Sequence, residues 1–435
     1  MIDNRNSHIE ETALPGGLLL ITERLPYVRS VALGLTYHLG GRDDPVGKEG
    51  AAHLVEHMIF QGNDERNAKA ISIAAESLGA DLNAFTDKEM TCFYGRFPSD
   101  EQVKVTKLLG DILAAPGFGE PELAKEKRVI GEEIRTINED PDATASSLMF
   151  RAHYGEHPMG SQVIGTQTSV AGIDRQWLKR FYDERYHAGT GVAVAVGDVR
   201  PEEIADALGQ ALADRAGSGP GPQRSDSQPN AGAVLSEKRN ELSQVYVCLC
   251  WAAFRYSDER RHALSVLNTA FGGGVSSRLF QRLREDEGLV YSVSSFVELF
   301  QDSGLLGVYF VTDRRKLERC LETLGTEINR LRTGWLQKEE FERARSMTKS
   351  SVLLGLEGPT ARMMRMARTH HMLGRLVTVD ETLAAYNRLD LDGTNALVEE
   401  IFDRQKPTLG AVGPIGAEEA AGVVGRLRSR PGCET

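Results

Sequence analysis

Gly50-Ala51-Ala52-His53-Leu54-Val55-Glu56-His57-Met58-Ile59-Phe60 sets two imidazoles and a carboxylate into an otherwise apolar run. A run of this kind reads as a helix packed against a core. His53 and His57 are four residues apart, so a helix aims both side chains from one face, where they can grip a single ion. Glu56 follows His53 by three residues and adjoins His57, within reach of a water on that ion. The blander reading is a core helix whose histidines are satisfied by hydrogen bonds. Three polar side chains among Ala, Leu, Val, Met and Ile would then each need a buried partner, and each unmet group would cost about 1–3 kcal/mol.

The order His-x-x-Glu-His is the zincin signature reversed, a pattern found in zinc hydrolases. It implies a metallopeptidase. Two histidines leave such a site short, since catalytic zinc ordinarily has three protein ligands and one open position. The best source of a third is Glu126-Lys127-Arg128-Val129-Ile130-Gly131-Glu132-Glu133-Ile134-Arg135. Glu126 and Glu133 are two helical turns apart on one face, and Glu132 competes as the neighbouring carboxylate.

The chain has 435 residues, which favours two or more domains over one core. Hydrophobic residues make up 41% and charged residues 26%, ordinary values for a globular protein. The net charge of −11 argues against nucleic acid as a main partner and suits neutral or basic peptides. No run of roughly 18 apolar residues suggests a membrane span, and Met1 to Thr12 lacks the apolar segment of a signal peptide. The five cysteines (Cys92, Cys248, Cys250, Cys320 and Cys433) lack metal-type spacing. Cys248 and Cys250 alternate along a strand-like run and read as reduced core residues, so a cytoplasmic location is expected.

Between Asp214 and Asn230 the chain loses periodicity and fills with Gly, Pro and Ser, as a linker does. The stretches on either side echo each other. Val28–Tyr37 leads to the histidine helix, and Gln244–Trp251 leads to a helix from Arg260 to Phe271. Thr91–Phe97 precedes an amphipathic helix, Glu101–Ala114, then an aromatic turn and a charged helix near Glu122. In the second half the same order runs Gly304–Thr312, Lys316–Leu331, Trp335 and Glu340. The expected fold is α+β: two homologous domains, each a β-sheet covered by helices. Their boundaries fall at 1–215, a linker at 216–233, and 234–435. The counterpart of the histidine helix, Arg261–Leu267, has no His/Glu triplet, so only the first half is expected to hold metal.

These motifs together resemble the pitrilysin family of zinc peptidases, in its processing-peptidase branch (the mitochondrial processing peptidase type). In that family a glutamate ligand preceding Ile or Met follows the second histidine by about 76 residues; here Glu133 and Ile134 stand at that spacing. The resemblance implies that His53, His57 and Glu133 bind one Zn2+ per chain, that Glu56 is the base, and that Glu126 steadies the site. Gly40–Pro45 resembles the family's turn before the metal helix. Leu82-Asn83-Ala84-Phe85-Thr86 resembles its strand that pairs with substrate backbone, implying contacts at Asn83 and Ala84. Phe271–Phe280 with Arg284–Ser292 resembles its second-domain signature, implying that Arg284 and Tyr291 hold the substrate carbonyl and developing oxyanion. Alone, Gly272–Gly274 could be a helix cap and Arg284 a solvated charge among Glu285, Asp286 and Glu287. The implied protein is a half-clamshell that forms a homodimer, or a heterodimer with a related subunit. Its chamber would admit unfolded peptides or leader segments. A non-catalytic partner subunit is the alternative. His153 and His157 are also four apart, but Gly155 and Pro158 argue against a helix there. His370 and His371 sit in a Met-rich helix that reads as packing.

Overall fold

The structure, a computed structural model, describes residues 8–215, 217, 221–403 and 406–428. Of the expected linker, residues 216 and 218–220 lie outside that set, as does Cys433. The chain forms two compact units. The first gathers residues up to Arg135 with Gln162–Ser225 and Gly355–Leu376, and the second gathers Thr136–Ser161, Asp226–Leu354 and the chain from Val377.

In the first unit, six strands form one sheet: β1 (His8–Ala13), β2 (Leu19–Arg24), β3 (Ser30–Tyr37), β4 (Asp81–Thr86), β5 (Thr91–Pro98) and β6 (Gly191–Gly197). Their spatial order is β1-β2-β6-β3-β5-β4, so β4 is an edge. Only β2 and β6 pair in parallel. Central β3 is apolar on both faces and buried from Val31 to Tyr37, because helices cover both sides. Ala32, Val192, Val194 and Val196 pack with Met363, Met366 and Ala367 of helix Pro359–Leu373. A Cβ on Gly34 would stand 2.5 Å from the Met363 sulfur, so the glycine makes room for that helix. The Met-rich stretch is core packing.

The second unit holds β7 (Val234–Lys238), β8 (Gln244–Ala253), β9 (Val290–Leu299), β10 (Gly304–Asp313) and β11 (Thr408–Gly413). Their order, β7-β11-β8-β10-β9, repeats β2-β6-β3-β5-β4, including the one parallel pair. Alternation along β8 divides two clusters. Val247, Leu249 and Trp251 enter the main core, whereas Cys248 and Cys250 face Ala145 and Met149 of helix Pro141–Tyr154. All four described cysteines are free and buried. Gly410 lets that helix approach: a Cβ there would meet the Ala145 carbonyl and the Met149 amide at 2.3 Å.

Each unit therefore takes one helix from beyond the linker. Helix Pro141–Tyr154 precedes the linker yet packs on β8 and β11, and helix Pro359–Leu373 follows it yet packs on β3 and β6. Linear boundaries at 215 and 234 do not capture this exchange. Its cause is shape, with small strand residues receiving small and flexible helix residues in both places.

His153, in the last turn of helix Pro141–Tyr154, is buried with Nδ1 3.3 Å from Thr408 Oγ1. The helix ends at Tyr154, so His157 lies beyond it and instead accepts from the Met159 amide. Burial pulls the His153 pKa down to about 4. The folded value lies below the unfolded one, so the neutral ring's contribution is complete above about pH 6.5 and is lost as the pH falls toward 4. Denaturant unfolding at pH 7.5 and 4.5 should show wild type losing roughly 2–3 kcal/mol more than His153→Gln over that interval. Equal losses would show that this ring does not set the acid response.

Candidate metal centre

The histidine helix runs Ala51–Ile59 and buries Ala51, Ala52, Leu54, Val55, Met58 and Ile59. Those six side chains fix its rotation, which leaves His53, Glu56 and His57 together on the remaining face. At its start Gly50 has φ +92°, and a Cβ there would lie 2.5 Å from the Ile164 carbonyl. Only glycine fits both demands. At its end the Phe60 ring lies 6.3 Å from Phe93 of β5.

Beside it is helix Glu120–Glu139, which buries Leu123, Glu126, Ile130 and Ile134. Glu126 Oε2 is 3.0 Å from His57 Nδ1, and Lys125 Nζ is 3.4 Å from the other Glu126 oxygen. Two turns farther along the same face, Glu133 Oε2 stands 3.6 Å from His57 Nε2. His53, His57 and Glu133 each present a ligand atom within 4.8 Å of the other two, the only such group among the described residues. Glu132 is not in that group and accepts from Arg135. Glu126, by contrast, meets His57 at Nδ1, on the other side of the ring from the Nε2 that faces Glu133.

The donor set fits zinc in kind: two imidazoles and one carboxylate. Burial, and then the neighbouring His57, pull the His53 pKa down to about 4, so the ring is neutral with a lone pair to offer at ordinary pH. His53 Nδ1 and Glu56 Oε2 are buried without a hydrogen-bond partner, so neither is committed elsewhere in the fold. Burial raises the Glu56 pKa; the Thr86 hydroxyl and His57 oppose that shift, and Glu133 adds to it. A carboxylate so raised is suited to accepting a proton.

Two contributors went unread in the sequence. Thr86 ends β4 beside the expected Asn83-Ala84 segment, with its hydroxyl 3.4 Å from Thr91 Oγ1, which in turn donates to the Leu39 carbonyl. Asp44 accepts from the Gly50 amide at 2.8 Å and the Ala52 amide at 2.9 Å. Both lie in segments the sequence marks, the Gly40–Pro45 turn and the Leu82–Thr86 strand, but the contact each makes runs across a turn or a sheet and has no local signal.

Asn83 and Ala84 lie on edge strand β4, which bonds to β5 on one side only. Arg284 and Tyr291 lie in the second unit. Arg284 is in a π-helical stretch, Phe280–Asp286, with its guanidinium 4.9 Å over the Phe280 ring. Of the acids around it, Glu285 lies 4.0 Å from its own Nε, Glu287 is bound by Arg319 and Arg282, and Asp286 by Arg282. Tyr291 sits on edge strand β9 and is 80% exposed. The helix equivalent to the histidine helix, Arg261–Phe271, is committed to core packing through Ala263, Leu264, Val266, Leu267, Ala270 and Phe271.

A doubled α+β chain with a His-His-Glu cluster in one half defines the class: a metallopeptidase-like protein. The family model described as insulinase, peptidase family M16, matches residues 19–167. Residues 172–348 match the model described as the peptidase M16 inactive domain. A protein of Streptomyces coelicolor named an uncharacterized zinc protease is 33% identical over 420 residues, 95% of this chain and 91% of the relative. Among solved structures, a peptidase M16 inactive domain from Pseudomonas fluorescens superposes with a TM-score of 0.87 at 21% identity, covering 94% of this chain and 98% of the other. A protease from Helicobacter pylori does so at 0.86 and 18%, covering 93% and 99%. The chain belongs to peptidase family M16, the pitrilysin family.

Replacing Glu133 by Gln is expected to weaken zinc binding by more than about 100-fold, beyond the loss typical of an orienting residue. Glu132→Gln should leave it unchanged. Competition with a chromophoric chelator measures both, and the reverse result would hand the ligand role to Glu132.

Proposed function

We propose that the protein is a zinc-dependent endopeptidase that hydrolyses unfolded peptides or processes leader peptides, in the processing-peptidase manner. The observation that carries this reading is the convergence of His53, His57 and Glu133 on one point, with Glu56 on the same helix face. Bound zinc would supply Lewis acidity, polarising a peptide carbonyl and lowering the pKa of a water toward about 7. Glu56 would take the proton from that water and deliver it to the departing amine. Edge strand β4 would receive an extended substrate segment by main-chain pairing, with Asn83 and Ala84 in contact. Arg284 and Tyr291 would hold the substrate carbonyl and the charge that develops on it.

A homodimer, or a heterodimer with a related subunit, enclosing a chamber is part of the same reading, and it rests on the family resemblance. The free buried cysteines support a cytoplasmic setting. No helix among the described residues is long and apolar enough to cross a membrane. The alternative, a non-catalytic partner subunit, loses ground because every element of the triplet and the distant glutamate is present.

Glu56→Gln should retain zinc while losing hydrolysis of a quenched peptide by at least about 100-fold, as expected for loss of a positioned base. Near-normal turnover in that variant would overturn the base assignment. Arg284→Ala and Tyr291→Phe should slow cleavage with zinc content unchanged; loss of zinc in either would make the residue structural.

A further inference from the structure

The turn Gly40–Pro45 lies before the histidine helix, and its three charged side chains have separate destinations. Arg42 donates to Glu89 Oε1 at 2.6 Å, in a pair buried on both sides. Asp43 receives Arg224, from the segment after the first sheet, at 2.6 and 2.8 Å. Asp44, buried, turns to the helix itself, accepting from Gly50 N–H on Oδ2 and from Ala52 N–H on Oδ1. The turn is itself fixed to the loop between β4 and β5: Gly41 and Arg42 amides donate to the Asp87 and Lys88 carbonyls at 2.9 Å. A Cβ on Gly40 would meet that loop's backbone at 2.5 Å, so the two segments lie in contact.

A helix start is usually capped by the side chain of the residue at the start. Here that residue is Gly50, held to glycine by its positive φ and by the Ile164 carbonyl, and it has no side chain to offer. Asp44 caps from six positions upstream instead. The amide it grips belongs to Ala52, the residue immediately before His53. His53 is thus in the first turn of a nine-residue helix, the part that frays first when unheld.

We propose that Asp44 is a positioning residue of the metal centre, fixing the first turn of the histidine helix and so the approach of His53 to His57 and Glu133. The proposal rests on the zinc reading above. It transfers the rigidity of a turn nailed to the sheet into the placement of one ligand, as supporting residues around metal sites do.

The test is zinc affinity of the full chain, by chelator competition, for wild type, Asp44→Ala and Asp44→Asn, with circular dichroism of each. His153→Gln serves as a control that perturbs the other unit. Asp44→Ala should bind zinc about 10–100-fold more weakly. Asp44→Asn, which keeps one acceptor oxygen, should fall between the two and decides the matter if the alanine variant does not fold. Folded variants that bind within twofold of wild type would overturn the proposal. So would an equal loss in His153→Gln, which would mark a general effect of stability. Wild type that binds no zinc would sink the zinc reading as well, an outcome distinct from the other two.

Discussion

A nine-residue helix does not hold itself in water, because the nucleation cost is not recovered over so few hydrogen bonds. The Ala51–Ile59 helix is therefore only as well placed as its surroundings make it. Six apolar side chains set its rotation, Asp44 sets its first turn, and the Phe60–Phe93 contact meets its end. The chemistry-bearing side chains occupy what is left of its circumference. Their alignment follows from the packing of the residues between them.

The same architecture built twice shows what the packing alone produces. Both sheets share one strand order with a single parallel pair, and in both halves an aromatic residue, Phe118 and Trp335, takes a positive φ before the charged helix. In the second copy the equivalent helix, Arg261–Phe271, keeps the apolar face and lacks the triplet. A sheet covered by helices is thus indifferent to whether a metal-type cluster is present. The cluster was free to exist in one copy and be absent from the other without disturbing the core.

Much of this was legible in the residues. The four-residue spacing of His53 and His57, the shared face of Glu126 and Glu133, the alternation of Cys248 and Cys250, and the repeated order of elements are all periodic signals. Periodicity reports which face is apolar, and that information survives into the fold. It does not report the partner of that face. The Met-rich stretch around His370 reads as a helix from its residues, yet nothing local says that helix Pro359–Leu373 packs on the sheet before the linker, or that helix Pro141–Tyr154 packs on the sheet after it. The same gap hides what Asp44 and Thr86 bond to, although both lie in segments that the sequence marks. Capping patterns are read at the helix start, and a glycine there points to no one.

The two glutamates of helix Glu120–Glu139 show how depth divides labour between identical side chains. They are two turns apart on one face, and both approach His57, Glu126 at Nδ1 and Glu133 at Nε2. The Glu126 side chain is 6% exposed and already engaged by His57 and Lys125. The Glu133 side chain is 41% exposed, and it is the one grouped with both histidines. A buried carboxylate already held by two partners is placed to fix an imidazole, and the more exposed one keeps oxygens with which it would reach an ion shared with the histidines. The imidazole between them transmits the difference: a firm bond at one nitrogen fixes the tautomer and aim of the other. Exchanging the depths of the two acids would leave the sequence pattern nearly intact and remove the difference in burial between them.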